Sequence, residues 1–322
     1  MKMPTGLIIT GMHRSGTSAM ARVCNLLGMD VGQRVVGSDA FNPTGHWEHA
    51  MTVALNRRVL RSMGGSSGWV KSLLTERLNS ASQSEFEDQI KGLIRADFSE
   101  SALWGIKDPE ISRLCPLWIS ALARLNITPR FILMVRHPLE VAASLGRRNQ
   151  FSLRKSLLLW LRYNLELEQA TREMPRAIVS SSQFVANWPT AIDKIQGNCH
   201  FQFPGLHSMG AGLVDTFLND RLWHHKSTAQ SSEKAGVADL ALQAYAALLA
   251  PDKRAATTEL ARIARLLADA DSRIEQCLLP KAFDPLTRDI GKVYIGERLK
   301  YLVRPARRIL DGTAAIAAMF LG

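Results

Sequence analysis

The sequence predicts an α/β protein with three layers: a central, mostly parallel sheet between two layers of helices, plus a helical extension at the carboxyl end. Short apolar runs alternate with longer segments whose apolar residues recur at helical spacing, which is typical of this class. A loop bounded by Gly11 and Gly16 connects the first run to a helix, and the runs at 102–107 and 129–136 both end in charged residues. Because ligands bind at the carboxyl ends of parallel strands, this edge is the predicted site.

Composition and charge limit the classes of function. The chain has 322 residues, of which 46% are hydrophobic and 21% charged, as in a globular protein with one large domain or a domain plus an appendage. A net charge of +11 favours an acidic partner such as a nucleic acid, an anionic lipid, a polyanionic glycan or a nucleotide with several phosphates. We disfavour nucleic acid, because the basic residues are dispersed and no nucleic-acid-binding signature is found.

The cysteines and the termini suggest a compartment. Four cysteines lack paired spacing, so neither a disulfide framework nor a metal site is expected; they are Cys24, Cys115, Cys199 and Cys277. The first strand begins so early that we expect no signal peptide, and the weakly charged stretch 311–322 is too short to span a bilayer. We therefore expect a reduced, cytoplasmic, soluble protein.

The first strand, loop and helix suit an anion. The apolar run 7–10 leads into the loop, and Met20, Val23 and Leu26 then lie on one helix face. Free N–H groups and the positive end of the helix dipole favour an anion at this helix start. Gly11 and Gly16 have the spacing of a nucleotide-hydrolase loop, but Thr17 replaces its lysine and Arg14 is the fixed cation. A sulfonyl group carries less charge than a γ-phosphate, so this loop suits it without a metal.

A second anion site is predicted at the end of the strand 129–136. Arg136 ends the strand, and Ser144 follows eight residues later on the first turns of a helix that begins after Pro138. A guanidinium fork and a nearby hydroxyl are suited to a phosphate monoester.

Four motifs resemble those of one enzyme family. Gly-x-x-Arg-Ser-Gly-Thr-Ser resembles the 5′-phosphosulfate loop of sulfotransferases that use 3′-phosphoadenosine 5′-phosphosulfate (PAPS). The Arg-x-Pro run followed by a serine is similar to their 3′-phosphate signature. Lys107-Asp108-Pro109 and the Asn-Pro-x-Gly-x-x-Glu run from Asn42 to Glu48 are also similar to family motifs. The resemblance covers about residues 5–205.

The resemblance implies a fold, a reaction and a set of site residues. The fold would be that of P-loop nucleotide hydrolases, and the reaction an in-line transfer of a sulfonyl group from PAPS to an acceptor hydroxyl or amine, of EC 2.8.2 type, without a metal. Arg14 would stabilise charge on the leaving nucleotide, Lys107 would serve a phosphate or the transferring group, and Glu48 is the favoured base. Rival bases are Asp108, His46 and His49. Nucleotide-binding residues would be Gly11, His13, Arg14, Ser15, Gly16, Thr17, Ser18, Arg136 and Ser144. His13 is expected mainly to shape the loop, and His137 to cap or pack.

The carboxyl-terminal part departs from the family pattern. We find no third, Arg-Lys-Gly loop, for which Lys226 is a weak substitute. We divide the chain into a PAPS-binding domain, 1–226, and a helical extension, 227–322, with a helical pair at 231–280. The segment 298–310 is basic and amphipathic, so it either contacts a membrane peripherally or caps the domain.

The sequence does not identify the acceptor, and it is compatible with two alternative functions. The basic charge suggests an acidic or carbohydrate acceptor, such as a glycan or a lipid-linked sugar. One alternative is a non-catalytic module that binds nucleotides or polyanions, and a less favoured one is a P-loop kinase that would need Mg²⁺ and ATP.

Overall fold

The computed structural model describes residues 4–40, 42–72, 78–207, 209–219, 236–276 and 293. Four strands and eleven helices lie in this described part. The strands are β1 (Thr5–Thr10), β2 (Leu103–Lys107), β3 (Arg130–Val135) and β4 (Arg176–Ser180). The helices are α1 (Thr17–Leu26), α2 (Ala50–Ser62), α3 (Ser80–Phe98), α4 (Ile111–Ala123), α5 (Pro138–Asn149), α6 (Leu153–Thr171), α7 (Ser181–Ala186), α8 (Trp188–Cys199), α9 (Gly210–Asn219), α10 (Val237–Leu249) and α11 (Lys253–Gln276).

The four strands form one parallel sheet in the order β2-β1-β3-β4. Ile9 pairs with Lys107 and Thr10 pairs with Leu133, so the carboxyl ends of β1, β2 and β3 lie side by side. The chain order reverses at β1, which is where an open α/β sheet opens a crevice. The predicted loop and both charged strand ends therefore share one edge.

Helices cover both faces of this sheet, which confirms the predicted three layers. On one face, Ile8, Ile106 and Leu133 pack with α2, α3 and α4. On the other face, Ile9 and Met134 pack with α1, α8 and α9. Because alternate residues of each strand meet opposite helix layers, the strands are apolar throughout, as their sequences indicated.

The predicted helical pair is confirmed as α10 and α11 up to residue 276. It shares a hydrophobic cluster with α5 and α6, to which Leu158, Ala241 and Ile263 contribute. Arg162 Nη2 also donates to Asp271 Oδ2 at 2.6 Å, which joins α6 to α11. The proposed domain boundary, Lys226 and the basic segment 298–310 lie outside the described residues. Helix α3 begins at Ser80, and the side chain of Asn79 caps it.

Three of the four cysteines, Cys24, Cys115 and Cys199, are buried and free, as the absence of paired spacing predicted, and Cys277 lies outside the described residues. Within the described part, no helix is long and apolar enough to cross a membrane.

Candidate functional site

The loop from Gly11 to Gly16 requires glycine at both of its ends. Gly11 has φ +142°, and a Cβ there would lie 2.3 Å from the carbonyl oxygen of Met134 on the neighbouring strand. Gly16 caps α1 with φ 83°, and Arg14 between them also has a positive φ of 68°. Left-handed backbone is cheap for glycine and costly for arginine. The strained conformation of Arg14 is thus held by the surrounding structure, as is common at functional sites.

Contacts from two other elements fix the loop. The Oγ of Ser112, at the start of α4, accepts from Gly11 N at 3.1 Å and lies 2.8 Å from Thr10 Oγ1. The Oγ of Ser181, at the start of α7, donates to the carbonyl oxygens of Ser15 and Val135. The loop is therefore held from both sides before any ligand binds.

Two polar atoms of the loop are buried without a hydrogen-bond partner among the described residues. Ser15 is 1% exposed and its Oγ has no such partner, and neither does Nε2 of His13. Burying an unpaired polar atom costs about 1–3 kcal/mol. An anion held by the loop would give the Ser15 hydroxyl an acceptor.

The two predicted anion sites meet in space. Arg14 Nε donates to Ser144 Oγ at 2.9 Å, and Arg136 Nη1 donates to the carbonyl oxygen of Arg14 at 3.2 Å. Arg136 Nε also donates to Glu140 Oε2 at 2.7 Å. Burial lowers the pKa of Arg14, and the nearby charges of Arg148 and Arg136 lower it further. Cations held this close repel one another, so this cluster of arginines favours an anion.

Lys107 is the hydrogen-bonding centre of the other half of the site. Its Nζ donates to Glu48 Oε1 at 2.6 Å, to Ser18 Oγ at 3.1 Å and to the carbonyl oxygen of His46 at 3.1 Å. A lysine has three N–H donors, so these bonds use them all. Asn42 Nδ2 also donates to Ser18 Oγ at 3.1 Å. The Asn-Pro-x-Gly-x-x-Glu run is thereby attached to the start of α1 and the end of β2.

The two acidic residues that the sequence offers as candidate bases, Glu48 and Asp108, have different charge states. Burial acts to raise the pKa of Glu48, but the charge and hydrogen bond of Lys107 hold that pKa below its usual value. Burial raises the pKa of Asp108 to about 6, and the neighbouring charge of Glu48 adds to the rise. Asp108 Oδ2 accepts from Asn56 Nδ2 at 2.9 Å and Oδ1 accepts from Glu110 N at 2.8 Å. Both oxygens of Asp108 thus accept hydrogen bonds from neighbouring residues of the protein, whereas Glu48 is an ionised carboxylate beside the loop.

The histidines have separate surroundings. Burial lowers the pKa of His13 to about 4, and its ring lies edge-on to Tyr163 with centroids 5.5 Å apart. His46 Nε2 lies 3.0 Å from Asp39 Oδ2. The two nitrogens of His49 face Thr52 and Asp97, and its ring packs against Phe98. The ring of His137 packs against Tyr245 at 5.2 Å, as expected. Because its pKa is about 4, His13 is neutral at pH 7.

The sequence interpretation overlooked several buried residues that surround the site. Glu110 is 3% exposed, its Oε2 has no hydrogen-bond partner among the described residues, and burial followed by the charge of Asp108 raises its pKa to about 8. Asn56 Oδ1 accepts from Trp118 Nε1 at 2.9 Å, which supports the Asn56 amide at Asp108. Glu110 adjoins the Lys-Asp-Pro run and could have been noticed there. Asn56 is a polar residue at a buried position of α2, and this is the one feature of the sequence that could have drawn attention to it.

No group of three or more histidine, cysteine or acidic residues arranged to hold a metal ion is found among the described residues. The expectation that the reaction needs no metal stays a prediction.

Three solved structures align with this chain. A sulfotransferase domain from the curacin biosynthetic pathway has 16% identity and a TM-score of 0.38, over 63% of this chain and 76% of that one. The sulfotransferase STF1 from Mycobacterium tuberculosis has 10% identity and a TM-score of 0.41, over 67% and 72%. The sulfotransferase domain of a Synechococcus olefin synthase has 15% identity and a TM-score of 0.40, over 83% and 94%.

All three of these structures are sulfotransferases. No protein-family model matches the chain, and no curated protein matches it in sequence. With identities of 10–16%, the function is inferred from the residues of the site itself.

Proposed function

We propose that this protein is a PAPS-dependent sulfotransferase that transfers a sulfonyl group to a hydroxyl of a carbohydrate or glycoconjugate acceptor. The observation that carries the proposal is the contact between the two anion sites: Arg14 of the loop bonds to Ser144, and Arg136 bonds to the backbone of Arg14. One ligand with two separate anionic groups would fit both sites at once. PAPS is such a ligand, and when bound it supplies the sulfonyl group that is transferred.

The loop residues suit the 5′ end of this nucleotide. The N–H groups at the start of α1 have no partner inside the helix, and the unpaired Ser15 hydroxyl lies beside them. Arg14 places a positive charge where charge builds up on the leaving oxygen. Arg136 and Ser144 suit the 3′-phosphate, because a guanidinium and a hydroxyl together donate several hydrogen bonds to a phosphate.

Glu48 is the proposed base and Lys107 the residue that positions it. Glu48 is ionised and 13% exposed at its side chain, so it is able to accept a proton from an acceptor hydroxyl. Lys107 holds the carboxylate in place, but this ion pair also weakens Glu48 as a base. If Lys107 donates to the transferring group instead, the pKa of Glu48 rises and its basicity increases. Asp108 keeps β2 and α2 in position through Asn56.

The two alternatives make different predictions. A non-catalytic module would bind the nucleotide but would keep its function in Glu48→Ala and Arg14→Ala variants. A P-loop kinase would bind ATP with Mg²⁺, although Thr17 occupies the position of the required lysine. The pairing of two anion sites suits a ligand with two separate anionic groups, as in a nucleotide with a 3′-phosphate.

Titration calorimetry in EDTA tests the proposal. The full chain is titrated with 3′-phosphoadenosine 5′-phosphate (PAP), with ATP and with adenosine 5′-phosphosulfate. We expect PAP to bind at least about tenfold more tightly than either competitor, because only PAP carries the 3′-phosphate. Equal or tighter binding of ATP would contradict the sulfotransferase proposal.

A further inference from the structure

Helix α2 carries two exposed arginines for which the proposed donor site has no use. Arg57 and Arg61 lie four residues apart and therefore side by side on one helix face. The whole of α2 is described, and its sequence contains three arginines and no acidic residue. Like charges at this spacing destabilise a helix slightly. The side chain of Arg57 is 61% exposed, so an external anion can reach it.

This face of α2 begins beside the proposed base. The helix starts two residues after Glu48, and the exposed residues Ala50 and Ala54 come before the two arginines on the same helix face. At 1.5 Å per residue, Arg57 and Arg61 lie about 10 and 16 Å along the axis from the first residue of the helix. The surface that leads away from Glu48 is therefore apolar first and cationic further on.

The buried carboxyl group of Glu110 lies near Arg57. Arg57 Nε lies 3.8 Å from Glu110 Oε1, which is too long for a hydrogen bond. Burial raises the pKa of Glu110 to about 8, so this carboxyl is mostly protonated at neutral pH. The positive charge of Arg57 nevertheless extends to the loop, where it contributes to the low pKa of His13. The arginine pair is thus close to the reaction site and lacks a compensating charge on its own helix.

We propose that this face of α2 is the acceptor subsite and that it binds an acidic oligosaccharide. Carboxylate or sulfate groups of the acceptor pair with Arg57 and Arg61, an apolar sugar face packs on Ala50 and Ala54, and the hydroxyl to be sulfated lies at Glu48. This inference rests on the proposed function, whose donor is held by different arginines, Arg14 and Arg136. An acceptor of this kind is extended and carries more than one negative charge.

The test uses a sulfated heparin hexasaccharide as the probe and the full chain saturated with PAP. Calorimetry compares the wild type with the double variant Arg57→Gln/Arg61→Gln. The control is Arg95→Gln/Arg254→Gln, which removes the same charge from exposed positions on α3 and α11. We expect hexasaccharide binding to weaken about tenfold or more in the α2 variant, because two charge-assisted contacts are lost. The control should stay within about twofold of the wild type.

Unchanged hexasaccharide binding in the α2 variant, or an equal loss of binding in the control, would overturn the inference. It would also be overturned if the α2 variant lost binding to phosphatidylglycerol vesicles but kept hexasaccharide binding. The single variant Arg61→Gln, at an exposed position, keeps the test valid should the double variant fold poorly, and its binding should weaken about threefold or more. If the donor proposal is wrong, the wild type will not bind PAP. Titration with the hexasaccharide in the absence of PAP then still tests the α2 subsite.

Discussion

Lys107 Nζ lies 2.6 Å from Glu48 Oε1, and this ion pair joins the end of β2 to the loop that precedes α2. Lys107 is 3% exposed at its side chain and Glu48 is 13% exposed, so water screens the pair only weakly. Burial alone would raise the pKa of Glu48, and Lys107 reverses that effect. The charge state of the proposed base therefore depends on its neighbours, of which Lys107 has the largest effect.

Replacing Lys107 with methionine should raise the pKa of Glu48. Without the lysine charge and hydrogen bond, burial becomes the dominant influence on the carboxyl group. Carbon-detected NMR titration of the Glu48 side chain measures this directly, and the acid limb of any pH–rate profile should move to higher pH. Lys91→Met is the control, because Lys91 pairs with the exposed Asp88 far along α3. An unchanged Glu48 pKa in Lys107→Met would refute the coupling.

Glu48→Gln should remove the proposed base and keep the donor site. General-base catalysis contributes about 10²–10⁴-fold, so sulfonyl transfer should fall by at least about a hundredfold. PAP affinity should stay within about threefold, since in our account Glu48 does not contact the donor. Release of PAP from PAPS in the presence of acceptor measures the rate, and calorimetry measures the affinity. Near-normal turnover with intact affinity would exclude Glu48 as the base.

Gly11→Ala should destabilise the protein and close the anion loop. Its new Cβ would lie 2.3 Å from the Met134 carbonyl oxygen, at a φ of +142° that alanine rarely adopts. We expect the free energy of unfolding to fall by about 1–3 kcal/mol or more and PAP binding to be lost. Gly92→Ala is the matched control: Gly92 lies within α3 with open space around it, so alanine should raise stability by about 0.5–1 kcal/mol. Equal stability of the two variants in urea melts would contradict this interpretation of the loop.

Glu110→Gln should flatten the fall in stability between about pH 4.5 and about pH 8. The pKa of Glu110 is raised in the folded state to about 8, so the folded protein holds a proton that the unfolded chain releases near its ordinary value. The stability that this proton contributes is complete below about pH 4.5 and is lost progressively until pH has risen through about 8. Thermal melts from pH 5 to 9 should therefore show a smaller fall in Tm for Glu110→Gln than for the wild type. A parallel fall in both proteins would show that Glu110 is ionised when folded.

Much of the fold and half of the site could be predicted from sequence patterns. Strands buried on both faces give continuous apolar runs, and the glycines at 11 and 16 mark a loop whose backbone only glycine tolerates. The spacing of Arg136 and Ser144 puts Arg136 directly after a strand and Ser144 in the helix that follows it. These are local relationships, and local sequence determines them.

The contacts between distant segments could not be predicted in this way. The bond from Arg14 to Ser144 spans 130 residues of sequence, and that from Asn56 to Asp108 spans 52. Such contacts depend on the order of the strands and on how the helices pack, which no single segment encodes. For the same reason, the sequence offered Asp108 as a rival base, whereas the structure shows both of its oxygens bonded within the protein.

Discrimination between PAP and adenosine 5′-phosphate tests the central claim, that the two anion sites serve one nucleotide. These ligands differ only in the 3′-phosphate, so calorimetry on the wild type and on Ser144→Ala isolates the second site. We predict that the wild type binds PAP at least about a hundredfold more tightly, and that Ser144→Ala reduces this ratio about tenfold, because one hydrogen bond to a charged group is lost. Equal affinity of the wild type for both nucleotides would contradict the account.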